Sequence, residues 1–169
     1  AYVRGYQGDT LTDATSIAAC MKHWVGYGAA EAGRDYNSTY IPQRLLREIY
    51  LPPFKAGVDA GALTLMSAFN SLNDVPASAN PRTMNILKKE WGFKGFVVSD
   101  WTSVKEVIAH GTAIDGKMAA RKSLLGGVDM DMESVLYLKE LPALVKQGKV
   151  PMSVIDDSVR RILRVKFAV

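Results

Sequence analysis

The sequence predicts an α/β fold built on a parallel sheet, and three observations carry that prediction. Short apolar runs alternate with amphipathic segments about four times along 169 residues. The amphipathic segments have the length and periodicity of crossover helices, which join parallel neighbours. The apolar runs end on polar residues: "KHW", "FNSLN", "SDW" and "DMDM". In parallel α/β folds, ligands bind at those carboxyl ends.

Each element has its own justification. "SIAACMKHW" (16–24) reads as a buried strand, with Cys20 a small packed residue in it. "PQRLLREIYLPPFKAGVDAG" (42–61) reads as helix, with Leu45, Leu46 and Ile49 as its apolar stripe and Pro52–Pro53 breaking it in two. "ALTLMSAFN" (62–70) is a second strand. "PRTMNILKKEWG" (81–92) opens on proline and stops on glycine, the expected helical asymmetry. "GFVVSD" (95–100) is a third strand, and Ser103 with Glu106 has the spacing of a capping box for the next helix. A helix over 117–125 precedes a short fourth strand in "GGVDMDM" (126–132). Helices over 134–147 and 153–166 follow, the last with Ser153 and Asp156 as its cap. "YGAAEAGRDYNSTYIP" (27–42) is the one long loop, and loops of that length are often functional.

Composition narrows the function classes. Apolar residues make up 48% and charged residues 22%, the balance of a globular protein. The net charge of +4 is spread over helical segments, with acids between the bases, so it reads as solvated helix faces and not as a nucleic-acid patch. No apolar run approaches the ~20 residues of a membrane span, and the first residues show no signal-peptide succession. The single cysteine excludes an internal disulfide and a thiolate metal site. No phosphate-loop or dinucleotide motif is present, and no histidine spacing suits a metal, so no cofactor is implied.

Asp100 stands out among the polar residues because it ends an apolar strand. There it can act as a nucleophile or general base, with the strand fixing its backbone. It can equally be an N-cap for the helix that begins near Ser103. Lys22 and His23 are adjacent on a strand and should face opposite sides unless the strand bulges. Together they would suit a polyhydroxylated or anionic ligand; separately they are an interior histidine and a snorkelling lysine. Trp101 offers an aromatic face for a sugar or a base, but tryptophan is also an ordinary core residue. Met130 and Met132 suit a core, while Asp129 and Asp131 fit either a polar interior or helix caps. Length and pattern leave two architectures open: half of an eight-fold (β/α) barrel, which needs about 250 residues when complete, or a small doubly wound sheet.

Four segments, "AACMKHWVGYG", "LPPFKAGVDAGALTLMSAFNSLN", "WGFKGFVVSDW" and "GGVDMDM", occur in this order and at these distances. In this they closely resemble the catalytic barrel domain of glycoside hydrolase family 3, especially β-glucosidases of the bacterial periplasmic type. The resemblance runs from about Arg4 to Phe167. It implies a partial TIM-like (β/α) barrel of about four strands, with residues 1–169 forming a single partial domain, the second half of the family's N-terminal barrel.

The resemblance also implies roles. Asp100 matches the nucleophile of a retaining β-glycosidase acting on terminal non-reducing sugars, and Lys22 and His23 match the pair that binds sugar hydroxyls. Trp101 matches an aromatic at the entrance, and Phe69 stands where many members carry a pocket tyrosine. The acid/base of the β-glucosidase branch comes from a following α/β-sandwich domain. Upstream barrel strands supply an aspartate and an arginine. The chain is therefore expected to pack against such strands and such a domain, to take a β-glucoside or oligosaccharide, and to show little activity alone. Tyr27 occupies the position of a histidine that marks the N-acetylglucosaminidase branch, which disfavours that branch. A periplasmic or secreted location is an expectation from the resemblance only. The competing readings are a non-catalytic carbohydrate-binding or assembly module on the same half-barrel and a (β/α) enzyme of phosphorylated metabolites.

Overall fold

The computed structural model describes residues 1–169. A short helix α1 (Tyr2–Gln7) leads to strand β1 (Cys20–Trp24). Helix α2 (Gln43–Leu45) widens into a π-helical turn (Leu46–Tyr50) and is followed by α3 (Pro52–Asp59) and β2 (Thr64–Ser67). A hairpin of β3 (Ser71–Leu72) and β4 (Val75–Pro76) precedes α4 (Pro81–Asn85), which continues as a second π-helical turn (Ile86–Glu90). Then come β5 (Phe96–Val98), α5 (Ser103–Glu106), α6 (Gly116–Gly126), α7 (Leu136–Lys146) and α8 (Met152–Lys166). The main sheet is parallel, in the order β1-β2-β5. This is the expected α/β fold of parallel strands and crossover helices. No helix is long and apolar enough to cross a membrane.

The register explains which residues go where. Met21, Leu65 and Val97 share one row across the sheet. Leu65 and Val97 are fully buried in the main core with Trp24, Leu46, Leu87 and Phe93, and Met21 packs against that core. Burying each such aliphatic side chain stabilises by about 1.5–3 kcal/mol. The next row, Cys20, Thr64 and Phe96, points to the opposite face, where Cys20 is exposed, Phe96 half-buried and Thr64 buried. Cys20 is exposed, contrary to its expected packing: β1 is the edge strand, and no further strand pairs with it. Gly95, just before β5, is required by close approach, since a Cβ there would lie 1.9 Å from the Leu63 carbonyl oxygen.

Several element boundaries differ from expectation for identifiable reasons. The stripe Leu45, Leu46, Ile49 holds only at Leu46; Leu45 and Ile49 are exposed because the π-helical turn changes the period. Asn80 caps α4 by accepting from the Arg82 and Thr83 N–H groups, and Pro81 takes the first position as expected. Ser103 and Glu106 form no capping box. Thr102 is the N-cap in a left-handed conformation, and the Ser103 hydroxyl is buried in a chain of serines, 2.7 Å from Ser78, which is 2.8 Å from Ser67. Ser153 lies inside α8, which begins at Met152 without a side-chain cap.

The fourth strand shrinks to a single parallel bridge between Val98 and Met130. Asp129 takes the Val97 N–H with its carboxylate at 2.8 Å, and Asp131 turns the chain away by accepting from Ser134 and the Tyr137 N–H. Asp129 also receives Lys88 at 2.7 Å and Ser158 at 3.1 Å, so its carboxylate joins the second π-helical turn, β5 and α8.

Candidate active site

The carboxyl ends of β1 and β5 bring His23 and Asp100 together, while Lys22 lies in a groove that Asp100, Phe69 and Trp101 do not line. Asp100 follows β5 by two residues, and only 13% of its side chain is exposed. One oxygen, Oδ1, accepts the Trp101 backbone N–H at 2.7 Å. The other, Oδ2, lies 3.4 Å from His23 Nε2. The Asp100 carbonyl accepts the Ser103 N–H at 3.1 Å and the Ser99 hydroxyl at 2.9 Å. Ser99 in turn accepts the Met132 N–H, and Met132 accepts the Thr102 N–H. The turn is thus tied at both sides, and the Asp100 side chain caps none of the amides inside α5.

His23 reaches Asp100 because β1 is irregular. Met21 pairs with Leu65 and Trp24 with Ser67, so Lys22 and His23 together oppose the single residue Met66. One extra residue in a strand breaks the strict alternation of faces. Lys22 and His23 consequently line one open groove with Tyr27, Tyr50 and Phe54. Lys22 makes no ion pair with Asp100. Its charge is felt at His23, whose titration is lowered first by burial and further by Lys22, against an opposing pull from Asp100.

An aromatic wall runs from this point. The His23 and Tyr27 rings meet edge-on at 5.5 Å, Tyr27 lies 6.0 Å from Phe69, and Phe69 lies 4.6 Å from Tyr36. Burial first, and a hydrogen bond to the Asp35 carboxylate second, push the Tyr27 phenol well up. Phe69 is held from behind: its carbonyl accepts from His110 Nε2 at 2.9 Å, so that nitrogen carries the proton, and Nδ1 faces the Ser71 hydroxyl at 3.0 Å. Trp101 is 60% exposed, with its ring free beside Asp100.

Some neighbours were not singled out from the sequence as site residues. Glu106 was legible only as a capping partner. It accepts the Thr102 hydroxyl at 3.2 Å, and its other oxygen is buried without a partner. Burial raises its pKa, Asp100 adds to the rise, and Thr102 and His110 oppose it. Tyr36 was legible only as part of the long loop. Of the acids in that loop, Asp35 is engaged by Tyr27, while Glu31 is exposed. Asp131 is committed to the start of α7.

Known proteins resemble the chain over nearly its whole length. A protein named periplasmic beta-glucosidase from Salmonella typhimurium is 45% identical over 166 residues, covering 98% of this chain and 22% of that protein. A putative beta-xylosidase from Formosa agariphila is 37% identical, covering 98% of this chain and 22% of its own. The crystal structure of a beta-glucosidase from Listeria innocua in complex with glucose superposes with a TM-score of 0.96 at 41% identity, covering 98% of this chain and 24% of that one. The chain therefore spans about a fifth to a quarter of the length of these relatives. The sequence profile of the glycosyl hydrolase family 3 N terminal domain matches residues 1–165, and the chain belongs to that family.

Proposed function

We propose that this chain supplies the nucleophile and part of the sugar-binding pocket of a retaining β-glycosidase of the β-glucosidase type. The observation that carries the reading is the 3.4 Å approach of His23 Nε2 to Asp100 Oδ2, at the exit of a parallel strand and beside an aromatic wall. Asp100 attacks the anomeric carbon of a terminal β-linked sugar and forms a glycosyl-enzyme ester as the bond to the leaving oxygen breaks. A second carboxylic acid protonates that oxygen, then takes a proton from the water that releases the sugar. In retaining enzymes the two carboxyl groups stand about 5–5.5 Å apart. His23 and Lys22 donate hydrogen bonds to sugar hydroxyls, Phe69 walls the pocket, and Trp101 flanks its entrance.

In this reading residues 1–169 are the second half of a (β/α) barrel. The intact enzyme adds the remaining strands and an α/β-sandwich domain that carries the acid/base. The exposed Cys20 and the unpaired edge of β1 support this reading, as does the fraction of the relatives that the chain spans. A periplasmic location is supported by resemblance to the Salmonella protein.

The test is covalent trapping in the intact enzyme. A 2-deoxy-2-fluoro-β-glucoside should label the peptide that carries Asp100 and no other, and Asp100→Asn should abolish both labelling and turnover. Labelling of another carboxylate, or unchanged turnover in Asp100→Asn, overturns the assignment. Unchanged carbohydrate binding without any turnover in the wild type would favour a binding module instead.

A further inference from the structure

Tyr36 is a residue of the aromatic wall that the proposed chemistry leaves unused. It sits in the loop between β1 and α2 with φ of 65°, a left-handed conformation that a bulky side chain rarely adopts. The ring is nevertheless 46% exposed, so burial of the ring does not account for the conformation. The loop around it is fixed. Asp35, the preceding residue, accepts the Tyr27 hydroxyl, and the Asn37 side chain donates to the Glu31 carbonyl at 3.2 Å. Further along, Thr39 is fully buried and donates its hydroxyl to the Ser71 carbonyl at 3.0 Å.

One part of the Tyr36 ring packs on Phe69 at 4.6 Å with the planes tilted by 53°. Through Phe69 and Tyr27 the ring continues the aromatic wall that starts at His23, whose Nε2 lies 3.4 Å from Asp100. An aromatic side chain held in a strained backbone conformation, on a loop pinned at both sides, with an exposed ring, is placed for contact with a ligand.

We propose that Tyr36 is a specificity-determining residue whose ring packs against the leaving group of a β-glucoside bound at Asp100. This rests on the reading of Asp100 as nucleophile. The ligand class is a leaving group with an extended apolar face, such as a second pyranose ring or an aryl group. A leaving group of one atom gains nothing from Tyr36.

The experiment compares two substrates in the intact enzyme: a glucosyl disaccharide and β-glucosyl fluoride. Asparagine tolerates the left-handed conformation, so Tyr36→Asn removes the ring without straining the loop. Tyr36→Asn should lose about tenfold in kcat/KM on the disaccharide, the scale of one aromatic contact, and stay within about twofold on the fluoride. Tyr36→Phe keeps the ring and should stay within about twofold on both substrates. Equal losses on both substrates would mean that Tyr36 only supports the fold of the site, and no loss on either would remove it from the site; each result overturns the inference. If the wild type releases glucose from neither substrate, the glycosidase reading itself falls, which is a separate result.

Discussion

His23 and Asp100 are the residues whose chemistry depends most on each other. Burial holds the imidazole below its ordinary value near 6.5, and the Asp100 charge partly restores it. Two consequences follow from the sign. The folded state binds fewer protons at His23 than the unfolded state does, so this site's contribution to stability is complete above pH about 6.5 and declines as the pH falls below it. Removing the Asp100 charge takes away the opposing pull, so Asp100→Asn is expected to lower the His23 midpoint further. NMR titration of the His23 ring protons reads this directly; an unchanged or raised midpoint would mean that the carboxylate does not act on the ring. The neutral form that burial favours keeps one ring nitrogen as a donor and one as an acceptor, which suits recognition of a sugar hydroxyl.

At the scale of elements, the site depends on contacts made behind it. Asp129 accepts from Lys88, the Val97 N–H and Ser158, and so ties the second π-helical turn and α8 to the strand that ends near Asp100. Burial is the main influence lowering the Lys88 pKa, with the Asp129 charge opposing it. Breaking a buried pair by removing one partner leaves the other uncompensated. Asp129→Ala is therefore expected to destabilise the protein by about 3–5 kcal/mol in urea unfolding, far more than loss of an exposed pair such as Arg44–Glu48. A loss below about 1 kcal/mol would show that the pair is dispensable and that packing alone holds β5. The serine chain Ser67–Ser78–Ser103 plays a similar part at the other side, joining the end of β2 to the start of α5. Ser103 has the sequence signature of a cap but serves as a buried strut, because its hydroxyl lies against Ser78 and the cap position falls to Thr102.

For the whole molecule, the main feature is a three-stranded parallel sheet with β1 as an unpaired edge. Leu65 and Val97 point into a helix-backed core, while Cys20, on the other face, is exposed. The outer edge of β1 pairs with no strand of the chain. In the proposed reading, the missing strands and the acid/base domain cover both. The isolated chain is therefore expected to turn over an aryl β-glucoside at no more than the background rate. Robust hydrolysis that depends on Asp100 would mean that a carboxylate within the chain acts as the acid. Glu106, with its unpartnered oxygen and raised pKa, would be the first to replace in that case.

Local sequence signals reveal the alternation of strands and helices, the parallel sheet and the strand end that carries Asp100, but not α1 or the β3–β4 hairpin. The signals are apolar runs, prolines at helix starts and polar residues at strand exits. Those signals hold wherever neighbours in the chain decide conformation, as at Asn80–Pro81 and in the apolar run that becomes β5. The folded arrangement alone shows that Lys22 and His23 share a groove, that Cys20 is exposed, that the fourth strand is a single bridge, that Tyr36 joins the aromatic wall at Phe69, and that one Glu106 oxygen is buried without a partner. The reason is physical: a strand's alternation of faces is local, but a bulge is defined only against its partner. The extra residue in β1 exists only relative to Leu65 and Ser67 on β2, more than forty residues away in the chain.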